Sequence, residues 1–159
     1  VAGNKIDQAI ANYIKKNFNL AIGDRTAEEI KIAIGSAIPV EDEAEYEIKG
    51  RDFLTGLPRS GKISTNEIVK AIDGELREIM KTIKAVLQET PPELASDIID
   101  QGIMMSGGTS LLPNIDELVF RSTGVKAYVA EDSLLCVAKG TGVALEHLDI
   151  YKQSIIAKR

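Results

Sequence analysis

The sequence predicts an α/β chain in which helices and a small antiparallel sheet are followed by an incomplete parallel layer. Apolar residues recur at helical spacing through the first ninety positions, interrupted between residues 37 and 64 by a stretch of period about two with Gly and Pro punctuation. The last third alternates strand, loop, helix, strand, helix, the order of a parallel α/β unit.

Ile6, Ile10, Tyr13, Ile14 and Phe18 share one face of a helix over residues 5–18, with Lys15 and Lys16 on the wet side of its last turn, where cations complement the helix dipole. Asn19 to Asp24 reads as a turn. Thr26 and Glu29 match a capping box, so a second helix is expected there, burying Ile30 and Ile34 and stopping at Gly35. Glu28 and Lys31, three apart, share its other face. From Ala37 to Ser64, segments such as Glu45-Tyr46-Glu47-Ile48 and Phe53-Leu54 read as two or three antiparallel strands, with Leu57-Pro58-Arg59-Ser60-Gly61 as an exposed turn. Ser64 and Glu67 match another capping box and open a helix of about six turns, marked by Ile68, Ile72, Leu76, Ile79, Ile83 and Val86 and ended by Pro91-Pro92. Gly74 inside it costs about 1 kcal/mol relative to Ala, so a bend or lobe boundary is expected there. A helix from Glu93 to Gln101, a strand from Ile103 to Met105, a helix from Ile115 to Thr123, a strand from Lys126 to Val129 and a helix from about Leu134 to His147 follow. Two strands cannot cover several helices, so this layer either belongs to a larger sheet or finds its missing strands in a partner.

At 159 residues, 44% hydrophobic and 27% charged, the chain can build one core or two small lobes. Nineteen basic and 24 acidic residues give a net charge of −5, and the cations are scattered, which argues against nucleic acid as a partner. With one His, His147, and one Cys, Cys136, neither a His/Cys zinc site nor a Ser-His-Asp or Cys-His centre can be assembled unless His147 itself serves, and its position suits a helix C-terminus. Cys136 lies in the apolar run Leu134-Leu135-Cys136-Val137 and reads as core. No apolar run approaches the roughly 18 residues that span a bilayer, and the first residues lack the basic-then-apolar pattern of a leader. A reducing cytoplasm is the expected setting.

Ser106-Gly107-Gly108-Thr109-Ser110 follows a short apolar strand at its carboxyl end, where open α/β sheets bind ligands. Paired glycines let a flat ring or a phosphate approach the main chain, but a Gly-Gly turn also serves as a plain tight connection. Glu28 could accept hydrogen bonds from ribose hydroxyls and Lys31 could cover a purine with its stem, or the two could form an ordinary solvated ion pair. Residue chemistry leaves both pairs of alternatives open.

Longer blocks carry more. Val1-Ala2-Gly3-Asn4-Lys5-Ile6-Asp7, Asn19 through Lys31, Ile34-Gly35-Ser36-Ala37, Pro91-Pro92-Glu93-Leu94-Ala95-Ser96-Asp97-Ile98 and Val129-Ala130-Glu131-Asp132 resemble, in order, the MreB family of bacterial actin-like cell-shape proteins. Ser106-Gly107-Gly108-Thr109-Ser110-Leu111-Leu112 resembles the adenosine motif of the actin superfamily. The resemblance implies an actin-like (ribonuclease H-like) ATPase fold, C-terminal half only: residues 1–3 as a hinge, 4–73 as the outer lobe (subdomain IIB) and 74–159 as part of the inner lobe (subdomain IIA). It implies Glu28, Lys31, Gly107, Gly108 and Thr109 at the nucleotide, ATP or ADP with Mg²⁺ in the full-length protein, and no catalytic or metal-ligating residue in this chain, because both phosphate loops of the family are missing from it. Hydrolysis is therefore expected of the full-length protein and not of this chain. Implied partners are further copies, head to tail, with membrane and cell-wall synthesis proteins at the inner face of the cell membrane. The tail, with Lys152, Lys158 and Arg159 beside Ile155 and Ile156, suits at most a weak lipid contact. Competing assignments are the C-terminal half of a sugar-kinase-type or chaperone-type ATPase and a nucleotide-free protein-binding module. The small outer lobe, without large insertions, favours the MreB resemblance over the other ATPases.

Overall fold

The computed structural model describes residues 3–155, so residues 1 and 2 of the expected hinge and the end of the basic tail, residues 156–159, lie outside the described residues. The chain runs α1 (Gly3–Phe18), β1 (Leu20–Ala21), α2 (Asp24–Ile34), β2 (Glu45–Asp52), β3 (Pro58–Ser64), α3 (Thr65–Glu89), α4 (Pro92–Gln101), β4 (Ile103–Met105), a 3₁₀ turn (Gly108–Leu111), α5 (Ile115–Thr123), β5 (Ala127–Val129), α6 (Cys136–Glu146) and α7 (Leu148–Ile155).

Most of the apolar stripes of the first helices are buried as their spacing predicts, but the α3 stripe fades toward its end, where Ile79 and Ile83 are only partly buried and Val86 is exposed, because no element among the described residues covers the last turns of the helix. Ile6, Ile10 and Ile14 of α1, Ile30 and Ile34 of α2 and Ile68, Ile72, Leu76 and Met80 of α3 join Ile48 of β2 and Ile63 of β3 in one buried cluster. Each such side chain contributes roughly 2 kcal/mol of burial, so this cluster dominates the fold. Leu112, Ile115 and Val119 extend it toward α5.

Local signals succeeded where a side chain makes them and failed where backbone or tertiary pairing does. Ser64 and Glu67 form the expected capping box at the start of α3. The Thr26–Glu29 box does not form: α2 opens at Asp24 behind Gly23, whose extended backbone lets its carbonyl accept the Ala27 N–H at 3.1 Å, while Glu29 accepts from Arg25. Leu20 and Ala21, read as turn, form a short edge strand, giving an antiparallel sheet in the order β1-β2-β3. Position 50 must be Gly for this pairing, since a Cβ there would lie 2.4 Å from the Ala21 carbonyl oxygen. α3 runs unbroken through Gly74; the space beside Gly74 is open, and Ile72 and Leu76 on either side of it are buried.

The β2–β3 turn also sits earlier than its sequence suggests. It spans Phe53 to Leu57, and residues 58–61 belong to β3, with Arg51 opposite Pro58. Asp52 fixes this register: its carboxylate accepts the Leu54 and Thr55 N–H groups at 2.9 Å and the Arg59 guanidinium at 2.7 Å. Lys15 lies 4.5 Å from the centre of the Phe53 ring and props the turn from α1.

β4 and β5 pair in parallel, Ile103 opposite Ala127, and Gly102 and Gly124 end α4 and α5 as expected. His147 occupies the C-terminal cap of α6. The run around Cys136 is not core: Leu134, Leu135 and Val137 are more than half exposed, as are Leu94, Ile99 and Met104. A two-stranded layer offers too little surface to cover them. No helix among the described residues is long and apolar enough to cross a membrane, and no group of three or more His, Cys, Asp or Glu among them is placed to hold a metal ion.

The Thr55 N–H first, then Arg59 and the Leu54 N–H, hold the Asp52 carboxyl at about 2, below its ordinary value of 3.8. A lowered folded-state value stabilises the fold above pH 3.8, and that contribution is lost as pH falls toward 2. Urea denaturation between pH 4 and 2 should show a steeper loss for the wild type than for Asp52→Asn; parallel curves would remove Asp52 from the acid response.

Candidate functional site

Three segments far apart in the sequence meet at one open cavity of about 480 Å³. The first turn of α1 supplies Gly3, Asn4 and Asp7, α2 supplies Glu28, Lys31 and Ile32, and the loop after β4 supplies Gly108, Thr109 and residues 111–113, with Leu134 closing one side. Four of the five sequence-predicted residues, Glu28, Lys31, Gly108 and Thr109, are thus brought together.

The fifth, Gly107, shapes the loop instead of lining the cavity. Its φ of +86° is a conformation that side chains rarely tolerate. Its N–H donates to the Ser133 carbonyl at 2.9 Å, and its own carbonyl accepts the Ser110 hydroxyl at 2.7 Å. Gly108 then faces the cavity, and a Cβ there would touch only the Leu134 side chain, at 3.4 Å.

Lys31 does not pair with Glu28. Its Nζ lies 2.7 Å from Asp7 Oδ1, across from α2 to α1. The ammonium sits off the direction of a well-formed hydrogen bond, so the contact is chiefly one of charge. Asp7 is 7% exposed and needs a counter-charge, whereas an exposed i,i+3 pair is worth only a few tenths of a kcal/mol; the buried partner wins. Gly3 leaves room for this arrangement: a Cβ there would stand 3.7 Å from Lys31 Nζ and 3.9 Å from Thr109 Oγ1. Glu28 remains free to face the cavity and also borders a smaller hollow with Asn4, Gln8, Asp24 and Arg25.

Asp7 is the site residue that the sequence reading missed. The signal was present, because Asp7 falls with Ile10 and Ile14 at i, i+3, i+7 spacing on the buried face of α1, and a carboxylate on such a face requires a partner. The cavity lining combines ionic and amide groups with Ile32, Leu111, Leu112 and Leu134, which suits a ligand carrying both hydroxyls and a flat apolar ring.

A helix-flanked antiparallel lobe, a parallel strand layer and a cleft between them with a Gly-Gly loop define an actin-like α/β fold. Solved structures agree. The double helical filament of MamK matches 87% of this chain with a TM-score of 0.68 at 21% identity, which shows the fold. MreB5 of Spiroplasma citri, solved bound to AMPPNP, matches 97% of it with a TM-score of 0.90 at 38% identity. The chain belongs to the MreB/Mbl protein family, whose model matches residues 1–153. The cell shape-determining protein MreB of Escherichia coli strain K12 is 43% identical over 151 residues, 95% of this chain, and Mbl of Bacillus subtilis strain 168 is 43% identical over 149 residues, 94% of it. The chain spans 44% of the length of the first of these relatives and 45% of the second.

Asp7→Ala should strand the Lys31 ammonium and cost about 3 kcal/mol, while Asp7→Leu combined with Lys31→Met should recover most of that loss. Urea denaturation of the variants checks it. Equal losses in the single and double variants would show that the ion pair is not what holds α1 to α2.

Proposed function

We propose that this chain forms one wall of an adenine-nucleotide cleft in a bacterial actin-like cell-shape protein. The full-length protein binds ATP or ADP with Mg²⁺ and assembles into filaments at the inner face of the cell membrane, where they govern cell shape and wall growth together with membrane and wall-synthesis proteins. The convergence of Glu28, Lys31, Gly108 and Thr109 on one cavity carries this reading. Its volume lies within the roughly 300–1,000 Å³ of small-molecule sites. That Spiroplasma citri MreB5 was solved with AMPPNP and with ADP supports it.

In this reading Glu28 accepts hydrogen bonds from ribose hydroxyls, the Lys31 stem lies along the base with its ammonium fixed by Asp7, and the bare Gly108 backbone lets the ring approach. Thr109 closes the ribose side, and Gly107 gives the loop its turn. Bound Mg²⁺ supplies charge neutralisation at the phosphates.

Calorimetric titration of the full-length protein with ATP tests the cleft. Gly108→Val projects a branched side chain into the cavity and should weaken affinity by roughly tenfold or more, given the cost of overpacking a fitted site. With native φ at Gly108 outside the left-handed region, folding should be little affected. Unchanged affinity would make the loop a plain connection.

Self-assembly is assigned to the tip of the β2–β3 turn, where Phe53, Leu54 and Leu57 are 57%, 79% and 64% exposed. A head-to-tail contact seated there buries them against the next copy. Full-length Leu57→Asp should keep nucleotide affinity and circular dichroism but sediment poorly with ATP, because an unpaired carboxylate opposes burial. Normal pelleting would place the contact elsewhere.

A further inference from the structure

The end of α2 is fastened to the loop following the 3₁₀ turn by a small clasp. Asn114 Nδ2 donates to Ser36 Oγ at 2.9 Å, joining residues 78 positions apart in the sequence. The Ser36 hydroxyl in turn donates to the Ile38 carbonyl at 2.6 Å and accepts the Ile38 N–H at 3.4 Å, so its donor and both acceptor sites are used. Beside it the Ala37 N–H donates to the Pro113 carbonyl at 2.8 Å. Leu112 packs against Gly35 beneath these bonds, and Ser36, Ala37 and Leu112 are all buried.

Position 114 has two requirements at once. Its φ of +63° lies in the left-handed region, which Asn tolerates better than other side chains, and it must present a donor across the gap. Gly would meet the first requirement and not the second. That combination separates the clasp from ordinary loop geometry.

The two segments joined here are the two walls of the cleft. α2 carries Glu28 and Lys31, one to two turns before Ser36, and the 3₁₀ turn carries Gly108 and Thr109, a few residues before Asn114. Ser36 stands two residues past Ile34, the last residue of α2, and the Gly35 N–H between them bonds the Lys31 carbonyl at 2.9 Å, so the clasp holds the backbone as it leaves the last turn of the helix and with it how far Lys31 stands from Thr109. We propose that Ser36 and Asn114 are positioning residues that set the spacing of the two walls, and with it the grip on the nucleoside part of the nucleotide. Neither lines the cavity. The proposal rests on the adenine-nucleotide reading of the cleft and adds to it the device that holds its width.

The test compares Asn114→Gly, Ser36→Ala and their double variant with wild type and Gly108→Val, in the full-length protein, by calorimetric titration with ADP and with ATP. Loss of one hydrogen bond that orders the cleft should raise Kd about fivefold to tenfold in each single variant. The factor should be the same for ADP and ATP, since the clasp acts on the nucleoside walls, and the double variant should lose no more than either single one. Melting temperatures without nucleotide should stay within about 3 °C of wild type for Asn114→Gly, a residue that accepts the same φ. Wild-type affinity in Asn114→Gly and Ser36→Ala, with affinity lost in Gly108→Val, overturns the clasp and leaves the cleft reading standing. Wild-type affinity in all of them overturns both. Additive losses in the double variant, or a lowered melting temperature with unchanged Kd, also overturn it, because the two side chains would then act separately or only on folding.

Discussion

Burial of one isoleucine-rich seam, Ile6, Ile10 and Ile14 of α1 against Ile68 and Ile72 of α3, decides where α2 and the antiparallel sheet can go. α2 lays Ile30 and Ile34 on the same seam, and Ile48 and Ile63 bring the antiparallel sheet onto it. Two of the chemistry-bearing residues are immediate chain neighbours of these buried ones. Asp7 follows Ile6, and Lys31 follows Ile30. A side chain whose own backbone is pinned by a close-packed neighbour has little freedom to wander, and this is how a cleft holds its geometry without a ligand.

The parts of the fold legible in the sequence are those whose stabilisation is local. The α3 capping box is two side chains three residues apart, and both of its bonds are present. The start of α2 carries no side-chain mark, because Gly23 caps it with backbone alone. β1 is two residues long and exists only by pairing with Arg51 and Asp52, thirty positions away, so no window centred on Leu20 could announce it. The turn after β2 was read from Pro58 and Gly61, yet Asp52 sets it through hydrogen bonds to residues that carry no turn signature of their own.

The cleft divides in the same way. Glu28, Lys31, Gly107, Gly108 and Thr109 stand out through blocks that resemble the MreB family, while residue chemistry by itself leaves each of them an ordinary alternative. What the sequence could not show was which carboxylate Lys31 would choose. The helical spacing rule favours Glu28; desolvation favours Asp7, and a buried charge outweighs an exposed neighbour. The run around Cys136 is exposed for a related reason: an apolar run states that its residues prefer cover, and says nothing of whether the chain at hand supplies it.

The parallel pair β4–β5 has a practical consequence. Each strand pairs on one side with the other, and Met104 and Tyr128 stand 67% and 47% exposed on the face beside it. Outer strand edges carry N–H and C=O groups set at the spacing of another strand, so one molecule presents a template to the next. The seam of α1 and α3 has no such opening. The isoleucine core and the strand pair are therefore separate features, one inside and one at the surface. Charged substitutions at Met104 would improve solubility without touching the core.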